Sequence, residues 1–302
     1  MLKFSVLFCT YNASERAIRY SLDSLFGQTI EDYEIIVCDD GSVDNRRDFY
    51  LNYFSEHGFM NYRLMLSPVN QGTVKNLLTG LREAKGEYVK PLGAGDALAG
   101  KQVLEQFYDF MKQGCYSIAF GKLKPFTMQG EKRVFHENVL IPLMRERYLG
   151  NRNFSEMKRN LIAYGDNISG AQLFYETNYF SFLMEKLAPC VRYMEDLCTY
   201  LAALEGIQIG YLPIWAVWYE VGSGISTEKK KKNNDRMDAD RMAFLGMLSD
   251  LYPKDRDVIV RIRMEEIDRT SAGIKKALRK ICADERWLSF RLRVRGKKLQ
   301  SI

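Results

Sequence analysis

Four short apolar runs punctuate the first hundred residues: KFSVLFCT at 3–10, YEIIVCD at 33–39, YRLMLS at 62–67 and YVKPL at 88–92. Each is rich in β-prone residues, and their starts are separated by 30, 29 and 26 residues. The intervening segments repeat apolar positions at helical spacing. Residues 15–26 do so with Ala17, Ile18, Leu22, Leu25 and Phe26, and residues 74–84 with Val74, Leu77, Leu78, Leu81 and Ala84. Strands alternating with helices at this interval predict a parallel sheet covered by helices on its faces. Ligands in such sheets bind beyond the carboxyl ends of the strands, which directs attention to residues 10–12, 39–44, 67–72 and 93–96.

The second part of the chain is less regular. The pattern predicts a helix at 103–112, a strand at 116–124 and a charged helical segment at 145–160. An apolar helix at 197–204 is opened by Glu195 and Asp196, where acids at a helix start have an ordinary structural reading. A strand at 209–212, an aromatic run at 214–219 and helices at 237–251 and 257–282 follow. The run KKKKNN at 229–234 reads as a solvated turn.

The chain of 302 residues is 46% hydrophobic, enough for one large domain or two smaller ones with real cores. No leader segment is evident, and no apolar run approaches the roughly 20 residues of a membrane span, so a soluble, cytoplasmic protein is expected. The cysteines at 9, 38, 115, 190, 198 and 282 form no Cys-x-x-Cys pair and read as reduced core thiols. With only His57 and His136, neither a histidine metal centre nor a Ser-His-Asp triad is expected. The net charge of +6 is uneven: residues 227–302 carry 21 Lys plus Arg against 12 Asp plus Glu, while the rest carries 23 against 26. A mildly acidic body therefore bears a basic tail.

Two strand ends carry candidate chemistry. After 33–39, Asp39 and Asp40 run into Gly41 and Ser42. Ser42 and Asp44 fit caps of the next helix, whereas Asp39, at the end of an apolar strand, needs a partner such as a nucleobase N–H. After 88–92, KPLGAGDALAGK surrounds Asp96 with glycines and admits three readings. Gly95-x4-Gly100-Lys101 nearly matches a phosphate-cradling loop but has Gln102 where a Ser or Thr belongs. Gly93-x-Gly95 opens a dinucleotide fingerprint whose third glycine falls on Leu98. The remaining reading is a degenerate metal–diphosphate motif.

The pieces FSVLFCTYN, SLDSLFGQT, YEIIVCDDGSVDN, NQGTVKN and GEY, in this order over residues 4–96, resemble the nucleotide-binding half of inverting family 2 glycosyltransferases of the bacterial surface-glycan or glycoprotein type. The resemblance implies the α/β GT-A fold, a Rossmann-like, mostly parallel sheet flanked by helices. It implies a catalytic domain over 1–226, with a nucleotide-binding half (1–100) and an acceptor-binding half (101–226), and a basic helical C-terminal appendage over 227–302.

It also implies site residues. Thr10, Tyr11 and Asn12 match the family's Thr-Tyr-Asn, whose aromatic lies against uracil. Asp39, with Asp40 beside it, matches the acid that accepts the uracil N3–H. Asn70, Gly72, Lys75 and Asn76 match Asn-x-Gly-x-x-Arg-Asn, with Lys75 replacing an arginine near the donor. Gly93, Ala94, Gly95 and Asp96 occupy the places of Asp-x-Asp-Asp, so Asp96 alone would hold Mn²⁺ or Mg²⁺, with the diphosphate and water completing about six oxygens. The segment 167–180 resembles the strand and turn before the base, without its usual basic residue, and 145–160 is expected over the acceptor side. Asp196, or else Glu195, matches the base that deprotonates the acceptor. Where relatives carry a metal-binding histidine, this chain has Glu220, Gly222, Ser223 and Ser226, which read as a flap over the diphosphate or a solvent loop.

The implied activity is inverting transfer of a hexose or N-acetylhexosamine from a UDP-sugar to a hydroxyl of a glycan, glycoprotein or lipid-linked acceptor. The alternatives are a catalytically silent sugar-nucleotide-binding protein and a P-loop-like NTPase built on Gly95, Gly100 and Lys101. RWLSFRLRVRGKK at the end suits an anionic membrane surface, placing the protein at the inner face of the membrane, or a protein partner such as a second copy. Nucleic acid is not expected, because no binding motif accompanies the charge.

Overall fold

Strand β1 (Phe4–Thr10) sends Phe4, Val6 and Phe8 to one face of the sheet and Leu7 and Cys9 to the other, and both faces are covered. This is why the strand reads as a continuous apolar run rather than an alternating one. The structure is a computed structural model that describes residues 2–137, 139–150, 153–222, 224 and 231–300.

After β1 come α1 (Glu15–Phe26), β2 (Tyr33–Asp39), α2 (Arg47–Glu56), β3 (Tyr62–Leu66), α3 (Thr73–Leu81), β4 (Tyr88–Gly93), β5 (Ala97–Leu98) and α4 (Val103–Gly114). The chain continues with β6 (Ile118–Gln129), β7 (Lys132–Phe135), α5 (Phe154–Ile162), β8 (Leu173–Glu176), α6 (Thr177–Leu187), α7 (Cys198–Leu204) and β9 (Gly210–Glu220). It ends in α8 (Lys231–Leu251), α9 (Arg256–Thr270), α10 (Gly273–Ala283) and α11 (Arg286–Gln300). Single 3-10 turns form at Arg145–Tyr148, Gly170–Gln172 and Glu195–Leu197.

Among the described residues the sheet has nine strands in the order β3-β2-β1-β4-β8-β6-β9-β5, with β7 paired to β6. β3, β2, β1 and β4 are mutually parallel, as the spacing predicts. β8 then enters antiparallel to both β4 and β6. Helices α1 and α4 bury Ile18, Leu22, Leu25, Leu104, Phe107 and Met111 on one face of the sheet. Helices α3, α6 and α7 bury Leu77, Leu81, Leu183, Leu187 and Leu201 on the other.

Several elements differ from the sequence pattern. The expected strand at 209–212 and aromatic run at 214–219 are one strand, β9. Its pairing with β6 slips between Phe120 and Lys122, where Pro213, lacking an N–H, interrupts the ladder. The expected helix at 257–282 is broken into α9 and α10 because Ser271 is extended and Gly273 has φ +55°. Segment 145–160 splits into a 3-10 turn and α5, which buries Met157, Leu161 and Ile162 in the core. The lysine run is no turn where it is described: Lys231 already lies in α8, and residues 229–230 lie outside the described residues. The helix expected after the turn at Ser42 and Asp44 is α2. It starts at Arg46 with φ +53° and no side-chain cap, and buries Tyr50, Tyr53 and Phe54.

Helix α8 packs on the rest of the protein, with Phe244, Leu245 and Leu248, and Val258 of α9, entering the same core as α3 and α6. Helix α11 makes a smaller contact, burying Phe290 and Val294 against Met144. The six cysteines are free, but Cys115 and Cys282 are exposed rather than in the core. Among the described residues no helix is long and apolar enough to cross a membrane.

Candidate active site

The carboxyl ends of β1 and β2 lie side by side, with Thr10 in register with Asp39. Asp39 is only 2% exposed. Its Oδ2 accepts from the Thr10 hydroxyl at 2.8 Å and the Ser42 hydroxyl at 2.6 Å, and its Oδ1 from the Ser42 N–H at 2.8 Å. A carboxylate offers about four acceptor sites, so these contacts fix Asp39 and leave one for a ligand donor. Ser42 is therefore not a helix cap. It braces Asp39 and accepts from the Asn12 N–H at 2.7 Å, while Asn12 Oδ1 accepts from the Val43 N–H at 3.0 Å. Asp44 accepts from the Arg46 N–H, two residues on. The locked turn leaves Tyr11 53% exposed, which suits a stacking platform and not a core position.

Asp40 has a different role. Its Oδ1 accepts from the Gln71 N–H at 2.7 Å and its Oδ2 from the Gly72 N–H at 2.9 Å, so it clamps the loop after β3. Burial pushes its pKa up, and the two N–H bonds and Arg192 oppose the rise. On the far side of that loop Arg192 Nη2 donates to the Asn70 backbone oxygen at 2.9 Å and to Asn70 Oδ1 at 3.1 Å. Gly72, with φ +91°, faces Arg192 so closely that an added Cβ would lie 2.3 Å from its Cγ. In α3 Asn76 is buried and donates to the Cys38 carbonyl at 2.8 Å, whereas Lys75 is exposed.

The turn after β4 is not a phosphate loop. Ala97 and Leu98 pair with Trp218 and Val217 as β5, the Ala99 N–H donates to the Ala216 carbonyl, Lys101 is exposed, and α4 begins only at Val103. The N–H groups of Gly95 and Leu98 are taken by the hydroxyls of Ser21 and Ser24. The same pairing removes the dinucleotide reading, because the chain enters the sheet where a helix N-terminus would be needed.

Asp96 lies buried in this turn, its Oδ1 accepting from the Glu220 N–H at 3.0 Å. Burial raises its pKa to about 7, against the Glu220 N–H bond and the charge of Lys90. Glu220 is also buried; Arg16 donates to its Oε1 at 2.6 Å, while its Oε2 has no partner. An added Cβ on Gly95, which has φ +102°, would lie 2.3 Å from that oxygen. A second carboxylate, from β9, thus joins the one left by the sequence motif. No group of three or more His, Cys, Asp or Glu able to hold a metal exists among the described residues. An orphaned carboxylate oxygen in a glycine-lined turn beside Asp96 nevertheless fits a hard cation that takes its other ligands from a diphosphate and water. Ser223 and Ser226 of the expected flap lie outside the described residues.

Lys90, on β4, is fully buried and donates to the carbonyls of Ala171 at 2.6 Å and Leu173 at 3.2 Å. Desolvation lowers its pKa to about 7, opposed first by Asp96. It thereby fixes the 3-10 turn of Gly170, and Gly170 in turn abuts the base candidates: a Cβ there would lie 2.2 Å from Glu195 Oε1. Glu195 and Asp196 form the 3-10 turn that leads into α7. Burial raises the pKa of both carboxyls, and the neighbouring Asp196 charge raises Glu195 further. A carboxylate with a raised pKa is a better proton acceptor when ionised.

The family profile described as Glycosyl transferase family 2 matches residues 5–176. The chain belongs to this family. Among curated members it is 33% identical over 184 residues to the poly(ribitol-phosphate) beta-glucosyltransferase of Bacillus spizizenii, an alignment covering 57% of this chain and 28% of that protein. It is 33% identical over 137 residues to the poly(ribitol-phosphate) beta-N-acetylglucosaminyltransferase TarP of Staphylococcus aureus, covering 44% and 39%. The chain thus spans well under half the length of these two relatives. The crystal structure of S. aureus TarS 1-349 in complex with UDP-GlcNAc superposes with a TM-score of 0.58 over 99% of this chain and 89% of that one, at 19% identity. The family 2 chain therefore has the GT-A architecture that its sequence resemblance implies.

A motif-based reading of this family 2 chain passes over Lys90 and Arg192 and places Glu220 only in a flap or loop, although Lys90 and Glu220 leave a trace. A lysine inside the apolar run YVKPL and a glutamate ending an aromatic run are both out of place unless they have buried partners. Arg192 leaves none, because its partners are backbone groups brought near by folding.

Proposed function

We propose that this family 2 protein is an inverting glycosyltransferase that moves a hexose or N-acetylhexosamine from a UDP-sugar to a hydroxyl of a glycan, glycoprotein or lipid-linked acceptor. The observation that carries the donor reading is the pairing of exposed Tyr11 with buried Asp39, which Thr10 and Ser42 hold in place. Tyr11 stacks on uracil and Asp39 accepts its N3–H. Gly93 and Gly95 let the backbone approach the diphosphate, and Lys75 supplies charge nearby. TarS was crystallised with UDP-GlcNAc, which supports a UDP-sugar here.

Asp96 and Glu220 would hold a divalent ion, Mn²⁺ or Mg²⁺, which when bound neutralises charge on the departing UDP. Asp196 accepts the proton of the acceptor hydroxyl as it attacks the anomeric carbon from the face opposite the diphosphate, with Glu195 beside it in the same turn. Two relatives are named for poly(ribitol-phosphate), so a polyol-phosphate polymer belongs among the acceptors tested. The test is UDP release over a panel of UDP-sugars and acceptors, with Mn²⁺ or EDTA, for wild type, Asp96→Ala and Asp196→Asn. Turnover that is lost in Asp196→Asn while UDP still binds is expected; full turnover removes Asp196 as the base. Turnover indifferent to EDTA removes the cation.

A further inference from the structure

Residues 192–194 immediately precede the Glu195–Asp196 turn and belong to no regular element. Their three backbone N–H groups are all taken by one side chain, Asp240 of α8. Its Oδ1 accepts from Arg192 at 3.1 Å, and its Oδ2 from Tyr193 at 2.5 Å and Met194 at 3.1 Å. Asp240 is 6% exposed, and α8 is anchored beside it by Phe244, Leu245 and Leu248 in the main core. An amide or hydroxyl could not replace it, because three converging donors call for two acceptor oxygens and favour a negative charge.

The same turn is tied on its other side to the donor loop. The Arg192 carbonyl accepts from the Val74 N–H at 3.1 Å, and the Arg192 guanidinium holds Asn70. We propose that Asp240 is a positioning residue for sugar transfer: by gripping residues 192–194 from α8, it sets the Glu195–Asp196 pair at a fixed place relative to the Asn70–Gly72 donor loop. This rests on the glycosyltransferase reading above. It makes the helix after residue 230 part of the reaction machinery.

Asp240 also acts through its charge. The ionisable groups facing Glu195 are Asp196 beside it, Asp240 from α8, Lys90 from β4, and the thiols and phenol of Cys9, Cys198 and Tyr175. Burial raises the Glu195 pKa, the charges of Asp196 and Asp240 raise it further, and a backbone hydrogen bond and Lys90 oppose the rise. Removing the charge of Asp240 lowers the Glu195 pKa, and because Glu195 and Asp196 titrate as a pair, the acid side of the turnover profile moves to lower pH.

The experiment compares full-length wild type, Asp240→Asn and Asp240→Glu by calorimetric UDP binding and by UDP release from UDP-GlcNAc across pH. A displaced base costs on the order of 10- to 100-fold, so Asp240→Asn is expected to lose that much turnover while UDP binding stays within about threefold. Its acid limb moves to lower pH, and Asp240→Glu keeps the limb in place and recovers part of the rate. A rate loss matched by an equal loss of UDP binding, with the limb unmoved, overturns the proposal, as does wild-type turnover in Asp240→Asn. If wild type binds no UDP, the donor reading fails separately. The grip is then read from amide hydrogen exchange at Tyr193 and Met194, which should quicken in Asp240→Asn; unchanged exchange overturns it.

Discussion

Glu220 donates its backbone N–H to Oδ1 of Asp96 at 3.0 Å, which joins the end of β9 to the turn after β4 across 124 residues of sequence. The side chain of Glu220 returns to the same turn, where its Oε2 is unpartnered.

This relationship predicts a shared cation site. Glu220→Gln keeps the shape but removes the charge, and is expected to raise the Mn²⁺ concentration for half-maximal UDP release by about tenfold, equivalent to ~1.4 kcal/mol. Asp96→Ala should abolish the response to Mn²⁺. An unchanged Mn²⁺ titration in Glu220→Gln removes Glu220 from the site.

Gly95→Ala tests the same turn sterically. The new Cβ would lie 2.3 Å from Glu220 Oε2 at a backbone φ of +102°. A strained residue of this kind costs about 1–3 kcal/mol. Thermal unfolding should show the loss, and Mn²⁺ binding should weaken with it, because the methyl displaces the carboxylate. Wild-type melting and Mn²⁺ response together would contradict the geometry.

The donor end makes a separable prediction. Asp39→Ala removes a charged acceptor worth about 1.5–3 kcal/mol to a base N–H, so UDP affinity should fall by roughly 10- to 100-fold. Tyr11→Ala should remove a stack worth about 1–3 kcal/mol. Tyr11 is exposed, so its replacement should leave thermal stability nearly unchanged, and calorimetry with UDP distinguishes the two effects.

The proposed base predicts the pH dependence. Burial raises the Glu195 and Asp196 pKa values, and a carboxyl must lose its proton before it can accept one. Turnover should therefore fall on the acid side at a pH well above the ordinary carboxylate value of about 4. The sign for stability is also fixed. An acid whose folded pKa is raised binds more protons in the folded state, so its contribution to stability is present below the unfolded value and lost as pH rises through the folded one. A turnover profile flat down to about pH 4.5 would contradict a buried base.

Much of the donor end was legible because its chemistry is local. Thr10, Tyr11, Asp39 and Gly72 lie within a few residues of strand ends that apolar periodicity locates by itself. Ser42 reads as a cap in the sequence for a physical reason: a short hydroxyl after a strand serves a helix N–H or a neighbouring carboxylate equally well, and only the position of Asp39 chose the second. The glycine spacing at 95–101 was likewise ambiguous until β5 paired with β9 and withdrew its N–H groups.

The sequence alone determined the strand–helix periodicity, the strand ends that carry the candidate site and the family. These follow from side chains close together in the chain, where pattern and proximity coincide. Only the tertiary structure decided that Glu220 joins Asp96, that Lys90 supports the turn under Glu195, and that Asp240 grips the residues before Glu195. Those partners lie on elements distant in sequence, and a buried carboxylate or ammonium reveals its role only through the groups that folding brings to within about 3 Å.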